Sequence, residues 1–190
     1  YADTSSEDGL SVLAKQSIAG LCEHHQAMAA ILAPTVNAYR RLQPAQLSGY
    51  WANWGWDHRC VATRVPPARG AGTRIESRVA DGAVNIHSGM AAVLTAARLG
   101  VVNELDCPPA ETGDGFEEVN TDVCVAANLG EALDQLEADT SFSAALGQDL
   151  VDNYVANKRE EWGRYLAAEG SFDGAEPPSA WELNEYMMYH

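Results

Sequence analysis

Thr-Arg-Ile-Glu-Ser-Arg-Val-Ala-Asp, residues 73–81, is the stretch of this 190-residue chain on which the architecture turns. Side chains alternate between the faces of a strand, so Arg74, Glu76 and Arg78 project together while Ile75, Ser77 and Val79 face the other way. Successive members of such a row stand about 6.5–7 Å apart, which sets one carboxylate between two guanidiniums. That spacing suits a divalent cation beside a polyphosphate, because Mg²⁺ takes one or two protein carboxylates together with phosphate oxygens and water. Arginine grips phosphate or carboxylate with a planar fork that lysine lacks. The same three residues also read as a solvated strand face whose charges pair with one another.

Working outward, a loop over residues 66–72 (PPARGAG) precedes a predicted strand over Thr73–Val79. Tyr50 to Val65 is dense in aromatic and β-branched residues on either side of Gly55–His58, which predicts a hairpin. Trp51, Trp54 and Trp56 alternate along it and read as a packing face. Apolar residues recur at helical spacing over residues 10–33, where Pro34 ends the pattern, and again over 85–99, with Gly100 placed as a stop. Residues 103–128, rich in Pro, Gly and acids, predict a long exposed loop, more often functional than idle at such length. Further helices are predicted around 130–137, 139–167 with a break at Gly147, and 179–187. The fold class is therefore α+β: a few antiparallel strands packed with several helices.

Charge is unevenly spread. Seven of the twelve basic residues are arginines between positions 40 and 78 (Arg40, Arg41, Arg59, Arg64, Arg69, Arg74, Arg78), opposed there by Asp57 and Glu76. That segment is five charges positive within a chain of net charge −15. The overall acidity argues against nucleic acid or an anionic membrane as partner, and directs the arginines toward small anions. No apolar run is long enough to span a bilayer. Cys22, Cys60, Cys107 and Cys124 contain no CxxC pair, so they read as buried thiols in a cytoplasmic protein. His24, His25 and His190 have no ligand-spaced companion and read as structural, as do Asp134, Glu137 and Asp139 on an acidic helix surface.

Three ordered stretches carry a resemblance. PTVNAYRRLQP (34–44), WGWDHRCVATRVP (54–66) and TRIESRVAD (73–81), with the closing KREEWGRYLAAE (158–169) and AWELNEY (180–186), are together similar to the carboxy-terminal catalytic part of glutamine synthetases and their γ-glutamyl-amine ligase relatives. The likeness runs from about Gly9 to the end. It implies a single partial catalytic domain over residues 1–190, whose amino-terminal β-grasp domain and upstream catalytic half would precede Tyr1. It also implies a cytoplasmic, ATP-dependent ligase that uses Mg²⁺ or Mn²⁺ and joins glutamate to ammonia or an amine through γ-glutamyl phosphate. Full-length members form homo-oligomeric rings.

By position, the resemblance makes Arg41 a contact to the glutamate carboxylate, Arg59 and Arg74 contacts on the nucleotide side, Glu76 a ligand of the phosphate-bridging metal, and Arg78 an arginine facing glutamate and the moving phosphoryl group. Positive charge belongs there because negative charge gathers on that group. Two departures matter. Glutamine synthetases carry a proton-accepting glutamate in PGYEAP where this chain reads PAQLSG, placing Leu47 there, which favours the alkyl part of a larger amine. A second family arginine falls on Asp57. The long loop carries Phe116 and no tyrosine, so the nucleotidylation of some bacterial members has no acceptor in it. An alternative from another class, a non-catalytic oligomerisation or ligand-binding module, stays open at this stage.

Overall fold

Gly20 and Gly100 mark the crossing around which the helices are arranged. The computed structural model describes residues 1–187. In it α1 (Val12–Glu23) lies across α4 (Ile86–Val102) so closely that a Cβ on Gly100 would stand 2.1 Å from the carbonyl oxygen of Gln16. Gly100 therefore does not stop α4, as its sequence position predicts. It lies within the last turns of that helix, where a missing side chain lets two backbones touch. Asn85 caps the other end, its Oδ1 accepting from the backbone N–H groups of His87 and Ser88 at 3.0 and 3.1 Å.

The single helix expected over 10–33 is two, α1 and α2 (His25–Leu32), broken at His24. The break has a cause. Nδ1 of His24 donates to Asp139 Oδ2 at 2.6 Å, and the ring stacks on Phe142 with centroids 5.6 Å apart. Asp139 is thus a partner of a buried histidine as well as the cap of α6, rather than one more acid on a solvated face. The short α3 (Ala38–Arg41) follows. α5 (Leu129–Ala138), α6 (Thr140–Leu146), α7 (Gln148–Glu169) and α8 (Ala180–Met187) appear where predicted, with Gly147 at φ +120° separating α6 from α7. Tyr39, Phe142, Leu133, Leu136 and Tyr165 fill the core between α2, α5 and α7. His190 lies outside the described residues.

Beside the helices stands a three-stranded sheet in the order β1 (Trp54–Trp56), β2 (Thr63–Val65), β3 (Glu76–Ser77). β2 and β3 are antiparallel, as expected, but β1 and β2 are parallel, so the predicted 50–65 hairpin does not form. The connection is drawn away instead of folding back: His58 Nε2 bonds the carbonyl of Gly113 at 2.9 Å, and Cys60 N–H donates to His58 Nδ1 at 3.2 Å. β3 covers two residues rather than the predicted seven. Its partner β2 has only three, bounded by that connection and by Pro66, which brings no N–H to the ladder. Leu10, just before α1, and Ala14 and Ile18 within it pack on Trp54 and Val65, joining sheet to helices. Trp54 and Trp56 share one face of β1, their rings edge to face with centroids 5.1 Å apart, Trp54 buried and Trp56 exposed beneath Arg69.

Residues 103–128 have the predicted length but are firmly tied. Glu111, 5% exposed, accepts from the N–H groups of Thr112, Gly113 and Asn120 and from Asn53 Nδ2, at 2.7–3.1 Å. Burial pushes its carboxyl up and these donors more than offset that, so its pKa lies below the ordinary glutamate value. The four cysteines are free; burial pushes Cys22 up to about 12 and Cys107 to about 11, which leaves both as unreactive thiols. Among the described residues no helix is long and apolar enough to cross a membrane.

Candidate functional site

β2 occupies the centre of the sheet, and its antiparallel register sets Arg64 directly opposite Glu76. Thr63 and Val65 turn inward while Arg64 turns to the other face. Arg64 Nη1 donates to Glu76 Oε2 at 2.6 Å, and from the other side Arg74 Nε donates to Oε1 at 2.9 Å. Arg64 also pairs with Asp57 through Nη2. Burial raises the Glu76 carboxyl, and the two guanidiniums outweigh it, so the group is ionised with a pKa below its ordinary value. The predicted carboxylate between two guanidiniums therefore exists, with one member changed: Arg64 stands where Arg78 was expected.

Arg78 leaves the row. Its backbone N–H donates to Ala62 O at 2.9 Å, and its Nη2 reaches Leu47 O at 3.4 Å. Arg41, on α3, donates from Nη2 to Val79 O at 2.5 Å, with Nε 3.7 Å from Asp81 Oδ2, at the far end of the 73–81 stretch. Arg59 is exposed and, among the described residues, bonds to none of the others. The structure thus joins Arg74 and Glu76 directly, sets Arg41 against Val79 O and Arg78 against Leu47 O, and leaves Arg59 separate. Arg64 was missed as a site residue although it belongs to the arginine-rich segment. The signal that finds it is cross-strand register, which the alternation within one strand cannot supply.

Buried guanidinium nitrogens without a partner, Arg64 Nε and Arg78 Nε, fit an anion-binding surface. For a cation the fit is partial. Glu76 is a single carboxylate, and among the described residues no group of three or more His, Cys, Asp or Glu side chains gathers into a cage. One carboxylate suits an ion whose remaining ligands are phosphate oxygens and water, and not an ion held by these residues alone. An apolar groove of about 400 Å³ lies against Leu32, Val84, Met90 and Ser77, touching the strand on the residue next to Glu76.

Such a sheet, with guanidiniums flanking a carboxylate and helices behind it, defines an arginine-lined α+β unit. The sequence pattern described as "Glutamine synthetase, catalytic domain" matches residues 1–186, and the chain belongs to that family. It is 37% identical over 193 residues to the glutamine synthetase of Pyrococcus horikoshii, covering 96% of this chain and 43% of that enzyme. It is 37% identical over 117 residues to the gamma-glutamylputrescine synthetase of Escherichia coli, covering 62% of this chain and 24% of that one. The ADP complex of the protein GmaS superposes with a TM-score of 0.77 at 28% identity, over 98% of this chain and 42% of GmaS. The chain spans less than half the length of the curated relatives it matches.

Proposed function

We propose that residues 1–190 are part of the catalytic domain of a cytoplasmic, ATP-dependent ligase that joins the γ-carboxylate of glutamate to an amine through γ-glutamyl phosphate. The observation that carries the reading is Glu76 of β3, ionised between Arg64 of the neighbouring β2 and Arg74, in a chain of this family. In this reading Arg74 and Arg59 hold the nucleotide's phosphates, Arg41 takes a carboxylate of glutamate, and Arg78 faces the transferred group. Glu76 would hold the phosphate-borne cation, Mg²⁺ or Mn²⁺, in place of one of its guanidiniums. The guanidinium so released is then free to meet phosphate oxygens. Bound ATP with its cation supplies the transferable phosphoryl group; these side chains bind it, orient it and neutralise the charge that builds during transfer.

Leu47 bears on the acceptor. Its side chain is 59% exposed and its carbonyl meets Arg78, which brings an apolar group beside an arginine of the site. A leucine there cannot take a proton from ammonium, so the proposed acceptor is an amine with an alkyl part. The metal ligands beyond Glu76 would come from outside residues 1–190, and the working enzyme is a homo-oligomer. The alternative, a non-catalytic module, draws on the finding that among the described residues no group of three or more His, Cys, Asp or Glu side chains gathers at Glu76. The two readings part in one assay on the complete protein: ATP-dependent phosphate release with glutamate and a panel of amines, set beside ammonia. The ligase reading expects release that Glu76→Ala abolishes and that an alkylamine supports better than ammonia. No release from the complete protein with any acceptor establishes the module; unchanged turnover in Glu76→Ala removes Glu76 from the chemistry; a clear preference for ammonia refutes the reading of Leu47.

A further inference from the structure

Arg41 sits on a helix of four residues, far too short to hold a direction of its own. Its orientation is set by contacts, and the most complete of these come from the other end of the chain. Arg40 Nε and Nη2 donate to the two carboxylate oxygens of Glu182, on α8, at 2.8 and 2.6 Å. Arg40 Nη1 donates to the carbonyls of Asp173 and Glu176 at 2.6 and 2.5 Å, and its guanidinium lies 4.8 Å from the centre of the Phe172 ring. Glu182 is 2% exposed and also accepts from Ser179 N–H at 2.8 Å. One turn further along α8, Tyr186 Oη accepts from Val36 N–H at 3.0 Å and donates to Glu161 at 2.6 Å. One face of α8 therefore grips the 36–41 segment at two points.

Neighbouring residues of a helix point about 100° apart, so fixing Arg40 on α8 fixes where Arg41 must point. It points to the carbonyl of Val79 and to Asp81, at the end of the strand that carries Glu76. The docking of α8 does not rest on Glu182 alone: Trp181 meets Tyr165 of α7 edge-on at 5.4 Å, and Tyr186 bonds Glu161 of α7. The carboxylate of Glu182 is thus separable from the packing of its helix.

We infer that Glu182 is a positioning residue, which acts through Arg40 to hold Arg41 in register with the 73–81 strand and makes the carboxy-terminal helix part of the glutamate site. The role of Arg41 toward glutamate rests on the proposed ligase function; the mechanical link does not. Two measurements separate them. In residues 1–190, nitrogen-15 NMR of the arginine Nε–H groups, with Arg41 assigned through Arg41→Lys, reads the link directly. Glu182→Gln is expected to displace or broaden the Arg41 signal while that of Arg159, paired with Asp134 and Glu137 on α5, stays in place. Glu182→Asp, which keeps the charge, is expected to restore most of it. If the Gln variant melts below the assay temperature, Glu182→Asp and Arg40→Lys carry the same comparison. An Arg41 signal unmoved while that of Arg40 is lost overturns the inference.

In the complete protein, Glu182→Gln is expected to raise the KM for glutamate about tenfold, with kcat and the KM for ATP within about twofold, since misplacing a binding group by a fraction of an ångström weakens its own contact first. Equal losses in all three constants mark a merely structural residue and overturn the positioning role. If the unaltered protein shows no ligase activity, the proposed function fails, and the NMR comparison still decides the link.

Discussion

The α1–α4 crossing and the arginine edge of the sheet are built in opposite ways. At the crossing two glycines let backbones meet, and a Cβ at Gly20 or Gly100 would lie 2.1 Å from a carbonyl oxygen of the other helix. At the edge, Arg74 is 54% exposed, Arg59 is exposed, and a Cβ on Gly70 would meet nothing within 4 Å. The difference teaches where each property of the molecule resides. Helix packing holds the fold together, and the sheet edge carries long charged side chains that can exchange partners without disturbing it. Residues that bind polyphosphate must give up their resting ion pairs, which a close-packed region could not permit.

The sharpest way to break this contrast is to place a methyl group in the crossing. Gly100→Ala is expected to lower stability by at least about 3 kcal/mol, the upper end of the range for overpacking, because backbone rather than a flexible side chain must move. The same change at Gly163, in α7, meets nothing within 4 Å. There it is expected to stabilise by about 0.5–1 kcal/mol through helix propensity. Urea unfolding of the pair checks both signs; similar midpoints would mean that the crossing is not as close as described.

Acid probes the helical half next. His25, on α2, is buried and neutral, its Nε2 bonded to Tyr50 O at 3.2 Å, and burial pushes its pKa down from 6.5 to about 4. A base whose folded pKa is depressed must take up a proton on unfolding. Its contribution is therefore complete above pH 6.5 and is lost as pH falls from 6.5 toward 4. A shift of that size corresponds to about 3 kcal/mol across the window. Unfolding free energies measured between pH 7 and pH 4 are expected to fall, and His25→Gln to flatten that slope. An unchanged slope in the variant would assign the acid sensitivity to the carboxylates, which titrate lower.

The two regions also differ in how far the sequence discloses them. Helices α5 to α8 follow from apolar spacing and from Gly147, because packing of an amphipathic face is a local pattern. The His24 break and the role of Gly100 depend on partners far along the chain, Asp139 and Gln16, and spacing within one helix does not record them. In the sheet, alternation places Arg74 beside Glu76 correctly. The parallel pairing of β1 with β2 goes with the hold of the 103–128 loop on His58, and Arg64 opposite Glu76 with the register of β2 on β3; local hairpin signals point elsewhere. The family resemblance points to Arg41 and Arg78 by position as proposed site residues, while their resting contacts, to Val79 O and Leu47 O, are properties of the folded chain.

The smallest expected effect on stability tests the sheet edge itself. Arg74 makes a two-point contact with Glu76, at 2.9 and 2.8 Å, yet its side chain is more than half exposed. Solvent screens such a pair, and Glu76 keeps Arg64 when Arg74 is removed. Arg74→Ala is therefore expected to change unfolding free energy by less than about 0.5 kcal/mol. Under the proposed function its effect on ATP use by the complete protein is expected to be far larger, about a hundredfold in kcat/KM, since a phosphate-binding guanidinium contributes most when charge is moving. Urea midpoints and steady-state kinetics on one variant give both numbers. A variant that loses stability and activity in proportion would show that the edge belongs to the fold after all; one that loses only activity keeps the two regions distinct.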